Sequence, residues 1–219
     1  MYSKTDRLLS ASYHAFVMIL RISARSRLQQ AEEVSTDEPL PVGDADLRAR
    51  LAQDNLSNAI AHAHQSAQML REFRERYGLK ITPAWLLQLQ AVAANVLILD
   101  PDLANPSLAA VANSASLEGP ILDSHSAFDE VFRCLLGTGV EVMIARAIAR
   151  MTYHTMMKQR IVLSRSTWNM LQIMSETAWR PSDVSRIHST FPNFATMKRH
   201  EDNERLTELL SKWESINID

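Results

Sequence analysis

The sequence predicts an all-α fold, a multi-helix globular bundle, on three observations. Glycine (5) and proline (8) are scarce in 219 residues and aromatics make up only 6%, so turn-dense, aromatic-rich β structure lacks its raw material. Alanine and leucine, both strong helix formers, are the commonest residues. Apolar residues recur at helical spacing over long stretches, and capping or breaking residues fall where those stretches end. With 46% hydrophobic and 22% charged residues, the chain has enough apolar side chains for a sizeable core.

The first helix is expected over residues 3–30, with Leu9, Tyr13, Phe16 and Leu20 along one face. An acidic stretch, Glu32 to Glu38, runs into Pro39, Pro41 and Gly43, which predicts a loop over 31–43. Asp44 suits the cap of a second helix and Asp46 its first turn. Leu56, Ile60, Ala63, Ala67 and Leu70 carry that helix to Tyr77, and Gly78 ends it in a left-handed conformation.

Thr82-Pro83 reads as an N-cap followed by a first-turn proline. From Trp85 to Leu99 the helix is apolar on nearly every side, the signature of a buried central helix, and Asp100-Pro101 stops it. Residues 101–122 are the least readable part. A helix opening near Asp123 carries Phe128, Val131, Phe132 and Leu135, and Gly137-Thr138-Gly139 is expected to break or kink it. The stripe resumes at Val140, Ile144, Ala147 and Met151. Ser166 is placed to cap a short helix bearing Met170, Leu171 and Met174. A last amphipathic helix, within 199–219, presents Leu206, Leu209, Leu210 and Trp213, with Glu201/Arg205 and Glu208/Lys212 as i,i+4 pairs.

Several function classes find no support. A net charge of −2 and a pI near 6.4 lack the basic excess of a dedicated nucleic-acid binder. The single cysteine, Cys134, excludes an internal disulfide framework and a cysteine-rich zinc site; among Phe132, Leu135 and Leu136 it reads as a small buried hydrophobe. No phosphate-binding, dinucleotide-binding, serine-hydrolase or zinc-protease motif occurs. His62 and His64 stand two residues apart, about 200° around a helix, and so should not share an ion; one packs inward and the other meets water. Arg146 and Arg150, and the mixed run from Arg71 to Arg76, read as solvated faces. The methionines clustered in the C-terminal half read as core filling. Neither apolar stretch, 8–22 or 83–99, is long and uninterrupted enough to span a bilayer.

Short motifs resemble the regulatory middle homology region of fungal zinc-cluster transcription factors. Tyr13 to Leu20, Y-H-A-F-V-M-I-L, resembles that region's Y-H-x-x-x-I-x-L helix. Ala61 to Ala67 looks like its small-residue helix, and Leu70 to Leu79 like its Y-G terminus. The apolar helix after Thr82-Pro83, the A-R-A-I-A-R-M of Ala145 to Met151 and the S-T-F-P-N of Ser189 to Asn193 look like its later elements. The resemblance spans roughly residues 8–195. Two features depart from it: Arg21-Ile22-Ser23 stands where H-R-P is common, and the six-cysteine, two-zinc DNA-binding module is absent.

The resemblance implies a bundle of the fungal regulatory type, divided into an N-terminal core helix (1–30), an acidic loop (31–43), a helical regulatory domain (44–198) and a C-terminal amphipathic helix (199–219). It implies a non-enzymatic role in transcriptional regulation, in the nucleus or cytoplasm, through protein partners or a small effector, with homo-oligomers possible. No cofactor, no metal and no catalytic residue is assigned, and neither membrane association nor specific DNA binding by this chain alone is expected. The alternative is a stand-alone helical scaffold, or an enzyme whose site has no recognisable motif.

Overall fold

The computed structural model describes residues 4–34, 42–78, 84–104 and 122–177. Among them are six α-helices and no strand: α1 (Lys4–Val34), α2 (Val42–Tyr77), α3 (Ala84–Leu97), α4 (Ser124–Glu141), α5 (Met143–Lys158) and α6 (Arg165–Thr177), with a 3-10 turn at Pro101–Ala104 after α3. The all-α expectation therefore holds. No helix among the described residues is long and apolar enough to cross a membrane.

α1 packs chiefly along α2. The two run antiparallel: His14 meets His62 and Arg21 meets Asn55, so seven residues forward on one helix match seven residues back on the other. Ala11, Ala15, Met18 and Ile22 are buried on α1; Ala52, Leu56, Ala59, Ala63, Ser66 and Leu70 are buried on α2. Both rows advance in alternating steps of four and three, the spacing of a coiled-coil seam. Small side chains dominate the rows, which permits close approach of the two backbones.

This reverses the expected face of α1. Tyr13, Phe16 and Leu20 are 59%, 58% and 51% exposed. The stripe exists, but it lies on the side of the helix opposite Ala11, Ala15, Met18 and Ile22. Size misled the prediction, because a close helix pair selects alanine at its contact and leaves the larger side chains outside. Helix also reaches into both ends of the stretch expected as a loop, 31–43. α1 continues to Val34 and α2 already begins at Val42, so Asp44 lies inside the first turn instead of capping it.

α2 ends as expected at Gly78, whose φ of +76° is easily reached without a Cβ, and the Gly78 amide donates to Arg74 O. The central position of α3 is also as expected. Residues from Leu86 to Ile98 are buried except Gln88, and α3 packs against α1, α2, α4 and α5. Two polar side chains of α3 make hydrogen bonds from inside the bundle: Asn95 donates to Ala91 O, and the buried Gln90 Oε1 accepts from Thr138 across the α3–α4 contact, while Gln90 Nε2 is buried with no partner among the described residues.

Asp123 caps α4, accepting from the Ser126 amide at 2.8 Å, and Phe128, Val131, Phe132 and Leu135 are buried. Gly137-Thr138-Gly139 does not break the helix, which runs on to Glu141; the turn comes at Val142. The glycine at 139 serves closeness instead. A Cβ there would sit 3.0 Å from Met174 Cε and 3.1 Å from Arg146 Cα, so a side chain would push α5 and α6 away from α4. The stripe expected from Val140 to Met151 is wrong in part, and it begins on the last turn of α4, before α5. Ala147 is buried, Met151 half-buried, but Val140 and Ile144 are exposed, while Ala145, Ile148, Ala149 and Met156 form the inner face. Ser164, not Ser166, takes the capping position of α6: its hydroxyl accepts from the Thr167 amide. Thr82-Pro83, the Ser189–Asn193 motif and the C-terminal amphipathic stretch lie outside the described residues.

Candidate functional site

Three polar clusters and one apolar surface could carry chemistry or binding. The first cluster joins α2, the end of α3 and the start of α4. Ser124 donates its hydroxyl proton to Asp100 Oδ2 at 2.6 Å. His64 Nε2 lies 3.5 Å from that same oxygen, and His64 Nδ1 lies 3.0 Å from Leu122 O. The Asp102 amide donates to the other carboxylate oxygen. The hydrogen bond to Asp100 raises the His64 pKa, opposed by burial and aided by the Leu122 carbonyl and nearby acids. Burial pushes Asp100 up, yet the bonds from His64, Ser124 and the Asp102 amide together hold it below the usual carboxylate range.

Serine, histidine and aspartate are the residue types of a hydrolytic triad, but the order differs. In a triad the imidazole stands between the hydroxyl and the carboxylate and takes the hydroxyl proton. Here the carboxylate holds both: Ser124 Oγ also lies 3.4 Å from His64 Nε2, but its proton is committed to the 2.6 Å bond to Asp100. A protonated His64 donating to both Leu122 O and Asp100 has no lone pair left to act as a base. The arrangement ties three elements together.

The second cluster is on α4 and α6. Asp129 accepts from the Ser164 amide, the Thr167 hydroxyl and Arg133 Nη2, each at 2.9 Å. The next residue on α4, buried Glu130, pairs with Arg74 of α2 through two bonds and also accepts from Cys134 Sγ. Burial pushes the Cys134 thiol well above its ordinary range, helped by the neighbouring Glu130. A thiol held protonated is a poor nucleophile and metal ligand, in keeping with the expected buried-hydrophobe role. Arg74 is accordingly not part of a merely solvated face. Arg150 is buried, and Arg146 donates to Gly139 O and Val140 O at the end of α4; the solvated-face expectation for this arginine pair is corrected too.

The third is the His14–His62 contact across the helical hairpin. The two Nδ1 atoms are 2.8 Å apart, so one ring donates and the other accepts, and the Tyr13 ring stands edge-on to both. Burial lowers both pKa values; His62 lowers that of His14 further, and Arg21 that of His62. His62 and His64 thus take separate partners on different sides of α2, as their spacing predicts. Both are half-buried, so the expected division into one inward and one solvated ring does not hold. Among the described residues no three His, Cys, Asp or Glu side chains come together as a set that could hold a metal ion.

The apolar surface is the outer side of α1. Beyond Leu20 the row of Tyr13, Phe16 and Leu20 opens into a groove of about 470 Å³ lined by Leu20, Ser23, Ala24, Arg27 and Leu28. Arg21 and Arg27 are exposed beside it, and between Ser10 and Gln29 there is no Asp or Glu. An apolar row with a cationic margin is a surface on which a partner could be held. No family model matches the chain, and no curated protein or solved structure is significantly similar to it.

The helical periodicity of 13–20 was plain in the sequence, but its direction was missed. The signal that could have found it was the competing row Ala11, Ala15, Met18 and Ile22, whose steps of four and three match the row on α2.

Proposed function

We propose that this chain is a regulatory helical docking domain of the fungal zinc-cluster type, acting through a partner held on the outer face of α1 and not through catalysis or DNA contact of its own. The observation that carries the reading is the exposed row Tyr13, Phe16 and Leu20 with its arginine margin. Three large apolar side chains in line on one helix face are the kind of anchors that fill a helix-in-groove contact. The same segment carries the Y-H-x-x-x-I-x-L resemblance, which supports a role in transcriptional regulation and a nuclear location. The commitment of the Ser124 proton to Asp100 weighs against the enzymatic alternative.

The test is to fuse the full chain to an unrelated sequence-specific DNA-binding module upstream of a reporter. The fusion is expected to change reporter output relative to the module alone, and Phe16→Glu with Leu20→Glu to return it to the module's level. A fusion that leaves output at the module's level, or an effect indifferent to the double substitution, overturns the proposal. In a gel shift at physiological salt the unfused chain should bind duplex DNA only weakly and without sequence preference.

A further inference from the structure

We infer that the outer face of α1 is occupied by the chain's own C-terminal segment, residues 201–214. The inference rests on the reading of that face as a docking surface and names its occupant. The segment lies outside the described residues, and three observations connect it to α1.

The first is pattern. The exposed row on α1 runs from Tyr13 to Leu20, seven steps along the chain. Leu206 to Trp213, with Leu209 and Leu210 between, also spans seven steps at helical spacing. Two helical rows of equal length, about 10 Å each, can cover one another end to end. The second is charge. Residues 10–29 carry Arg21, Arg25 and Arg27 and no acid; residues 201–214 carry Glu201, Asp202, Glu204, Glu208 and Glu214 against Arg205 and Lys212. The margins of the two rows therefore attract. A second copy of α1 on the same face would instead set arginines against arginines, which is why the segment is preferred to a homodimer.

The third is reach. α6 ends at Thr177, and residues 178–200 lie between it and the segment. Twenty-three residues can extend about 75 Å, while the whole of α1 is about 46 Å long. A tether longer than α1 itself supplies a high local concentration of the segment without forcing it to bind. A weak intramolecular contact of this kind covers the apolar row yet yields to a competing partner.

Cysteine cross-linking in the full chain tests the inference, and the native Cys134 is buried and poorly reactive. Phe16→Cys is combined with Leu209→Cys, and as a control Val162→Cys, at an exposed position after α5, is combined with Leu209→Cys. Circular dichroism confirms that each variant keeps the parent's helix content. Mild oxidation of dilute protein is expected to give an intramolecular 16–209 disulfide, read as a faster-migrating monomer and by mass spectrometry, forming about tenfold faster than the 162–209 disulfide. Leu206→Glu with Leu210→Glu should remove that preference. Disulfide-linked dimers through position 16 would assign the face to a second copy and overturn the inference. Equal rates from positions 16 and 162, or no 16–209 link, would also overturn it. If the link fails while the reporter effect still depends on Phe16 and Leu20, the docking reading survives and only its occupant is wrong.

Discussion

The α1–α2 hairpin and the block formed by α3 to α6 solve the same packing problem in different ways. In the hairpin, contact is made by a narrow row of mostly small side chains, and larger apolar residues such as Phe16 stay outside. In the block, α3 is enclosed by α1, α2, α4 and α5, so nearly every side chain it carries is inside, including Gln90 and Asn95. A helix with neighbours all round has no outer face to spare. A helix at the edge of a bundle can pack through alanine and keep its largest residues for something else. Exposure of Phe16 and burial of Phe128 therefore follow from the number of neighbours each helix has, not from the residue.

The sharpest test of this difference is Leu89→Asp in α3. Leu89 is 1% exposed, and an unpaired carboxylate there costs several kcal/mol, comparable to the stability of a whole domain. The purified variant should show no cooperative thermal transition; an unchanged midpoint would place α3 at the surface. A smaller effect is expected in the hairpin. Ala63→Leu inserts three carbons into a fully buried position and should cost about 2 kcal/mol by overpacking. Phe16→Ser removes a much larger side chain from the outer face and should cost less than 1 kcal/mol, about the scale of a surface change. Urea denaturation of the two variants compares them directly, and a larger loss from Phe16→Ser would reverse the assignment of faces.

The end of α5 offers a gain in stability. Arg160 has a φ of 59°, and the Ile161 amide donates to Met156 O at 3.0 Å, the pattern of a helix terminus that favours glycine. Arg160→Gly relieves the crowding of a Cβ in that conformation and should add about 0.5–1 kcal/mol, measured as a rise in denaturation midpoint.

The smallest effect is one of pH, and its sign differs between the two regions. The folded state lowers the pKa of His14 and His62 in the hairpin. Their contribution is therefore present above the ordinary histidine pKa and is lost as pH falls through the folded values. The folded state raises the pKa of His64 at the edge of the block; its contribution is full below the ordinary value and is lost as pH rises through the folded one. Between pH 8 and pH 5.5, His62→Gln should make the chain less acid-labile than the parent, whereas His64→Gln should make it more acid-labile. Both groups are partly solvated, so shifts of a few degrees in melting midpoint are expected. The same sign of change in both variants would refute the opposed roles.

Legibility in the sequence divides along the same line. The burial of α3, the opening of α4 near Asp123, the stop at Gly78 and the apolar row on α4 could be read directly, because each is set by local chemistry or by an apolar surplus that leaves no choice of face. The direction of α1 and the inner face of α5 could not. Both helices have two candidate rows, one of larger side chains and one of smaller, and only the partner helix decides between them. The continuity of α4 through Gly137-Thr138-Gly139 was hidden for a similar reason: the breaking tendency of glycine is local, while the closeness of Met174 and Arg146 that uses it is not. The clusters around Asp100, Asp129 and Glu130 join residues 24 to 60 positions apart, distances over which no local spacing rule operates.

The alanine rows of the hairpin have one further consequence. A row that repeats every seven residues looks almost the same to its neighbour after a slip of one repeat, so such a seam grips across its width but barely along its length. Sliding is resisted instead by the two polar bridges, His14 to His62 and Arg21 to Asn55, each of which has a counterpart in only one setting. They act like the pins of a vernier: the alanines bring the two rods together, and the bridges say where along their length they stop.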